Sequence, residues 1–369
     1  MTLIWAIVLF GLLIFFHELG HFIVAKLVGV KVLKFSLGFG PKVIGKKIGD
    51  TEYLISAIPL GGYVKPLGED PEDELAEEDK PRAFNFQPVW KRAAIVIAGP
   101  VFNIVLAYII FVFFLGAGLP VAIPNLDSIT TSIEGVVGGS PAEKAGLRKD
   151  DTIVSIDDTA VRDWNEMADI FSKSPGKELS VKIRRGDELM TVMITPDSVK
   201  ATDESGNEVA AGRIGISKKL NAEVIEGSGV LDAPLKALKA VYGWCVLTVD
   251  IMFKLLTGGV SAKQVGGPIL IVDAAAKAAA VGAYAYFNFI AIISINLAVL
   301  NLMPVPVLDG GHIMFFCLEA LRRKPLSEKV QLAANRVGMA LLLTLIAFVF
   351  YNDIVRIVVP WARKVLPLG

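Results

Sequence analysis

The chain has 369 residues, of which 53% are apolar, and a mean hydropathy of +0.57. That is too oily for an ordinary soluble protein, so membrane spans are the first feature to seek. Thirty-seven basic and 37 acidic side chains cancel, which argues against a nucleic-acid partner, and two cysteines in apolar surroundings, Cys245 and Cys317, argue against a disulfide framework or a Cys-based metal site.

In chain order, the first apolar stretch is about 3–26. No positive residue precedes it and no small-residue cleavage site follows it, unlike a signal peptide. Six lysines and no acid lie from Lys26 to Lys47, so the positive-inside rule runs this span from outside to inside. Next, GFGPKVIGKKIGDTEYLISAIPLGGYVKPLGED alternates apolar and polar residues between glycines and prolines, which predicts short membrane-associated β-hairpins. Glu69–Asp79 holds eight acids in eleven residues and reads as a solvated loop. A second span, about 93–118, starts just after Lys91-Arg92 on the cytoplasmic side.

Residues 121–233 differ in character. GVVGGSPAEKAGLRKDDTIVSIDDTAV reads strand, turn, short helix, strand, turn, strand, and LSVKIRRGDELMTVMIT is two strands about Arg185-Gly186-Asp187. This predicts a small α+β domain on the outer side. Segment 234–257 is interrupted by Lys236, Lys239, Asp250 and Lys254, which predicts an amphipathic helix on the outer surface. A third span, about 287–308, is followed by Arg322, Arg323, Lys324, Lys329 and Arg336, and a fourth, about 332–351, returns outward. The expected organisation is 1–118 (two spans and the β-loop), 119–200 (the α+β domain), 201–258 (linker and surface helix) and 259–369 (two spans).

His17-Glu18-Leu19-Gly20-His21 is HExxH inside the first span. On a helix, positions i and i+4 share a face, so both imidazoles can grip one Zn2+ with Glu18 beside the open coordination position. Ionisable groups at membrane depth are expensive and mark function. A catalytic zinc takes three protein ligands, and His312 is the one remaining histidine. Asp309, in NLMPVPVLDGGH, is the better third ligand, because Pro304 and Pro306 break the helix there and broken helix at membrane depth lines a protein cavity. The assignment also tests topology. His17 and His21 sit in the cytoplasmic half of an inward-running span, so Asp309 reaches their depth only if its span runs the same way. That requires 93–118 as the return crossing and excludes 234–257 as another. Intramembrane His and Asp also mark ion pathways, so a zinc-binding transporter is the alternative, with a non-catalytic scaffold third. Glu18 beside the ligands favours hydrolysis.

SPAEKAGL followed by a DxIxxID strand resembles bacterial PDZ modules, with Asp150 and Asp158 where glycine is usual. Together with FFHELGHF, GFGP, IPLGGYVK, IVIAGPVFN, VGGPI and NLMPVPVLDGGH, in that order, nearly the whole chain resembles the site-2 family of intramembrane zinc metalloproteases, and most closely its bacterial regulator-of-sigma-E branch. The resemblance implies a polytopic α-helical membrane protein with four transmembrane helices and an inserted extracytoplasmic PDZ domain. It implies zinc held by His17, His21 and Asp309, with Glu18 as catalytic base. It further implies the bacterial inner membrane, an active site towards the cytoplasm, and single-span substrates such as anti-sigma factors or remnant signal peptides. The chain departs from the pattern in having room for one PDZ domain where many relatives have two, and in placing Pro66 where methionine follows GGYVK.

A helical substrate must unwind before its carbonyls are open to water. The strand edge Gly61-Gly62-Tyr63-Val64 could pair with the unwound peptide. That stretch could also be a structural turn, and the resemblance favours the edge. Asn301 could bind substrate backbone or satisfy carbonyls freed by Pro304 and Pro306. Asn103 raises the same choice, and helix packing is the expectation there. His312 is expected to be an interfacial histidine. In the PDZ-like segment, Gly135, Val136 and Val137 offer a strand edge to a peptide end, with a steric lid as the rival role.

Overall fold

With no proline between Thr2 and Leu27 and apolar side chains almost throughout, this stretch satisfies its own backbone as one helix, α1 (Thr2–Leu27). The computed structural model describes residues 2–69, 75–124, 131–161, 164–202, 208–218, 222–227, 229–257 and 266–355. The middle of the acidic run and parts of the 201–258 linker therefore lie outside the described residues. Two compact units emerge, one of 1–121 with 225–369 and one of 122–224.

After α1 come two long strands, β1 (Val32–Ile48) and β2 (Thr51–Pro66). Each bends back on itself, so that Phe35 pairs with both Val64 and Tyr53, and Ser36 with both Tyr63 and Leu54. Segment 32–37 thus lies between 62–66 and 51–55, which leaves 62–66 at one edge of the sheet. Helix α2 (Val89–Gly116) follows and packs on α1.

The second unit, entered and left through the pair β3 (Val121–Pro124) and β12 (Ala222–Ile225), runs β4 (Ile133–Val136), α3 (Pro141–Lys144), β5 (Thr152–Ile156), β6 (Thr159–Ala160), α4 (Trp164–Ser172), β7 (Leu179–Arg185), β8 (Glu188–Ile194), β9 (Asp197–Thr202), β10 (Glu208–Arg213) and β11 (Ile216–Lys218). A four-stranded sheet, β6-β5-β7-β8, carries the core of Ile153, Ile156, Val181 and Ile183 against Met167 and Phe171 of α4. Alternation along β7, apolar in and polar out, fixes that register. Asp150 (φ 69°) and Asp158 (φ 61°) adopt left-handed backbone, which Asp tolerates better than most residues. Buried Asp151 receives Arg185 Nε and Nη2, both at 2.7 Å.

The first unit resumes with α5 (Ala233–Leu256), α6 (Pro268–Val281), α7 (Ala283–Asn301), α8 (Asp309–Arg322) and α9 (Glu328–Asp353). Among the described residues four helices are long and apolar enough to cross a membrane: Ile4–Leu27, Val89–Gly116, Ala283–Asn301 and Lys329–Asp353. The third span ends at Asn301, seven residues before its expected limit of 308, because Pro304 and Pro306 lack the donors that a continuing helix needs. Helix α5, expected on the outer surface, is not among these four. It packs along α2 and α7, and Thr248 Oγ1 donates to Asn296 Oδ1 (2.7 Å), thirteen residues into α7. Its lysines and Asp250 disguised that packing face in the sequence. At the far end of α9, buried Asp353 accepts hydrogen bonds from the N–H groups of Gly267, Ile269 and Leu270 (2.9, 2.9 and 3.1 Å), capping α6 where the helix dipole favours a carboxylate.

Candidate metal centre

One turn of α1 separates His17 from His21, and their Nε2 atoms lie 3.2 Å apart. Asp309, the first residue of α8, brings Oδ2 to 3.3 Å from His17 Nε2 and Oδ1 to 3.7 Å from His21 Nε2. All three donors fall within 4.8 Å of one another. Four-coordinate zinc with ligand bonds of about 2.0–2.1 Å sets a tetrahedral edge of about 3.3 Å, so these separations fit that ion. Asp309 Oδ2 is buried without a hydrogen-bond partner, as suits a metal-binding oxygen.

Two glycines let α1 and α2 approach this closely. A Cβ on Gly20 would stand 2.3 Å from Ala98 O, and one on Gly99 would stand 2.3 Å from His21 Nε2 and 2.8 Å from His17 Cε1. Small residues at a helix crossing serve membrane packing in general; here they also leave room for the imidazoles. His21 Nδ1 donates to Ile95 O at 2.8 Å, which keeps Nε2 unprotonated and facing the donor cluster. One turn beyond Gly99, the fully buried Asn103 places its amide 3.3 Å from His17 Nδ1, and its backbone carbonyl accepts Ser294 Oγ from α7 at 2.8 Å. Sequence reasoning gave Asn103 to helix packing. The i, i+4 spacing from Gly99 in AGPVFN was the available signal that both face the imidazoles.

Asp309 is delivered by a strained turn. Val307 sits at φ 86°, a conformation costly for a β-branched residue, roughly 1–3 kcal/mol. Gly310 and Gly311 then fold α8 tightly back, since a Cβ on either would lie 2.1 Å from Met303 O or 2.4 Å from Val305 O respectively. Farther along α8, Glu319 meets Arg92 of α2 at 2.5 Å, and that guanidinium covers the Phe316 ring at 5.0 Å. The pair is mostly buried, so its value is positional: it ties the helix bearing Asp309 to the one bearing Gly99 and Asn103.

His17, Glu18, His21 and Asp309 line one cavity of about 1560 Å3, with Tyr63, Val64 and His312 also on its wall. The Glu18 carboxylate accepts the Val64 backbone N–H. Tyr63 stacks on Phe39 (6.3 Å, 7° between planes), and Gly61 (φ 141°) turns the strand beneath that ring. Gly62 pairs with Leu37, leaving the far edge of 62–66 beside the cavity. Asn301 closes α7 and is not among the cavity-lining residues. Gly135 and Val136 belong to the second unit, where β11 already pairs with them through Ser217 and Ile216, so that edge of β4 is taken. Val137 is exposed.

The model of peptidase family M50 matches residues 5–345. The chain is 37% identical over 361 residues to a relative from Rhizobium meliloti (94% of each protein). It is 35% identical over 357 residues to one from Clostridium acetobutylicum (96% of this chain, 97% of the relative). It is 33% identical over 437 residues to one from Neisseria meningitidis (94% and 97%). Each of these bears the name "Putative zinc metalloprotease".

Proposed function

The chain belongs to peptidase family M50 and is a multi-pass zinc metalloprotease, and from that premise we propose that it cuts peptide bonds within the membrane-spanning segments of single-span proteins. One observation carries the reading: three donors from α1 and α8 converge beside Glu18 in a cavity bordered by the edge of 62–66.

His17, His21 and Asp309 would hold the zinc. When bound, zinc supplies Lewis acidity, making water a competent nucleophile near neutral pH and polarising a carbonyl. Glu18 would accept the proton of the attacking water and return it to the leaving amine. The unwound substrate would pair with 62–66, where Gly62 makes room for Ile14 and Glu18 of α1, each 3.1 Å from where its Cβ would stand, and Val64 sets Glu18. Lysine placement supports an active site towards the cytoplasm of a bacterial inner membrane, with the second unit outside. We read that unit as a PDZ module on the SPAEKAGL motif and the left-handed Asp150 and Asp158. Anti-sigma-factor-type proteins and remnant signal peptides are the substrates that the regulator-of-sigma-E resemblance suggests. The transporter alternative finds no favour in the family match or in the relatives.

The test reconstitutes the protein with a single-span substrate in zinc-containing liposomes. Cleavage inside the apolar segment, mapped by product mass, is expected. Zinc flux across the bilayer with an intact substrate would contradict the proposal.

A further inference from the structure

We propose that Asn103 is a positioning residue that holds His17 in the tautomer competent for metal binding; this rests on reading His17 as a zinc ligand. A neutral imidazole carries one proton on its two nitrogens, and the nitrogen that binds a metal must be the bare one. His17 Nε2 faces Asp309 at 3.3 Å and His21 Nε2 at 3.2 Å, so Nε2 is the metal-facing atom. The proton then sits on Nδ1, which needs an acceptor. The group standing 3.3 Å from Nδ1 is the Asn103 amide, on a fully buried side chain.

An asparagine amide presents oxygen or nitrogen to the same place by a half-turn about χ2, and the surrounding hydrogen bonds decide between them. With nitrogen towards His17, the amide N–H groups face the protonated Nδ1, donor against donor, while the amide oxygen is buried without any partner. With oxygen towards His17, it accepts Nδ1–H and leaves Nε2 free. His21 is oriented in the same way by a different acceptor, Ile95 O at 2.8 Å. One helix, α2, therefore fixes both imidazoles from behind, one through its backbone and one through Asn103. Ser294 Oγ, donating to Asn103 O, locks this stretch of α2 against α7.

The experiment measures zinc affinity of the full-length protein by chelator competition for wild type, Asn103→Leu, Asn103→Asp and His17→Ala. Leucine fills the volume without accepting a hydrogen bond, whereas aspartate accepts Nδ1–H. Outer-shell partners of metal-bound histidines are worth roughly 10–100-fold in affinity. N103L is expected to lose that factor, and N103D to stay within a few-fold of wild type. If Asn103 only packs helices, the order reverses: N103L binds as wild type and the buried charge makes N103D the worse variant, which overturns the proposal. H17A separates the two layers of inference. Zinc retained at full affinity in H17A overturns the ligand reading itself, whereas zinc lost in H17A but kept in N103L overturns the role of Asn103 alone.

Discussion

Replacing Glu18 with glutamine is expected to slow cleavage of a single-span substrate by roughly 10²–10⁴-fold, the range a positioned proton-transfer group contributes, with zinc affinity unchanged. Glutamine has the shape of glutamate and its amide oxygen can still accept the Val64 N–H, so the edge strand should keep its place. What disappears is a group able to take a proton from water and return it. Side-by-side turnover rates and zinc titrations of E18Q and wild type decide the matter. A variant that cleaves at the wild-type rate would remove Glu18 from the mechanism.

The second large effect concerns the metal itself. Asp309→Ala is expected to weaken zinc by more than the roughly 10–100-fold that an outer-shell partner is worth, because it deletes one of three donors. Activity at limiting zinc falls with it. The fold should survive, since α8 keeps its Arg92–Glu319 tie and the close packing of Gly310 and Gly311. Metal-free D309A should unfold at or above the temperature of metal-free wild type, because the buried carboxylate oxygen it removes has no hydrogen-bond partner. Chelator titration and thermal unfolding of the same preparations test both halves. A variant that binds zinc normally would place the third ligand elsewhere.

The helices that cross were legible because lipid leaves the backbone no alternative to internal hydrogen bonding, so composition and length suffice. His17, His21 and Asp309 were legible because ionisable groups in such segments need a reason to be there. Their convergence required only that two spans run the same way. What escaped were features set by tertiary contact. Asn103 carries no charge to mark it, and its position facing His17 depends on how closely Gly20 and Gly99 let two helices approach. The packing of α5 on α2 and α7 was masked by lysines that could equally belong to a surface helix. The double pairing of β1, which exposes the edge of 62–66, follows from long-range register that alternation along each strand leaves open. The pairing of Gly135 and Val136 with β11 was hidden for a related reason, since that partner lies some eighty residues away in sequence.

Every role assigned above depends on one zinc ion joining α1 to α8. X-ray absorption at the zinc edge, on the full-length protein loaded with a single equivalent, reads that ion's surroundings. A first shell of nitrogen and oxygen at about 2.0–2.1 Å is expected, with the scattering signature of two imidazoles that diminishes in His17→Ala and His21→Ala. A sulfur shell near about 2.3 Å, or a spectrum that those substitutions and Asp309→Ala leave unaltered, would contradict it.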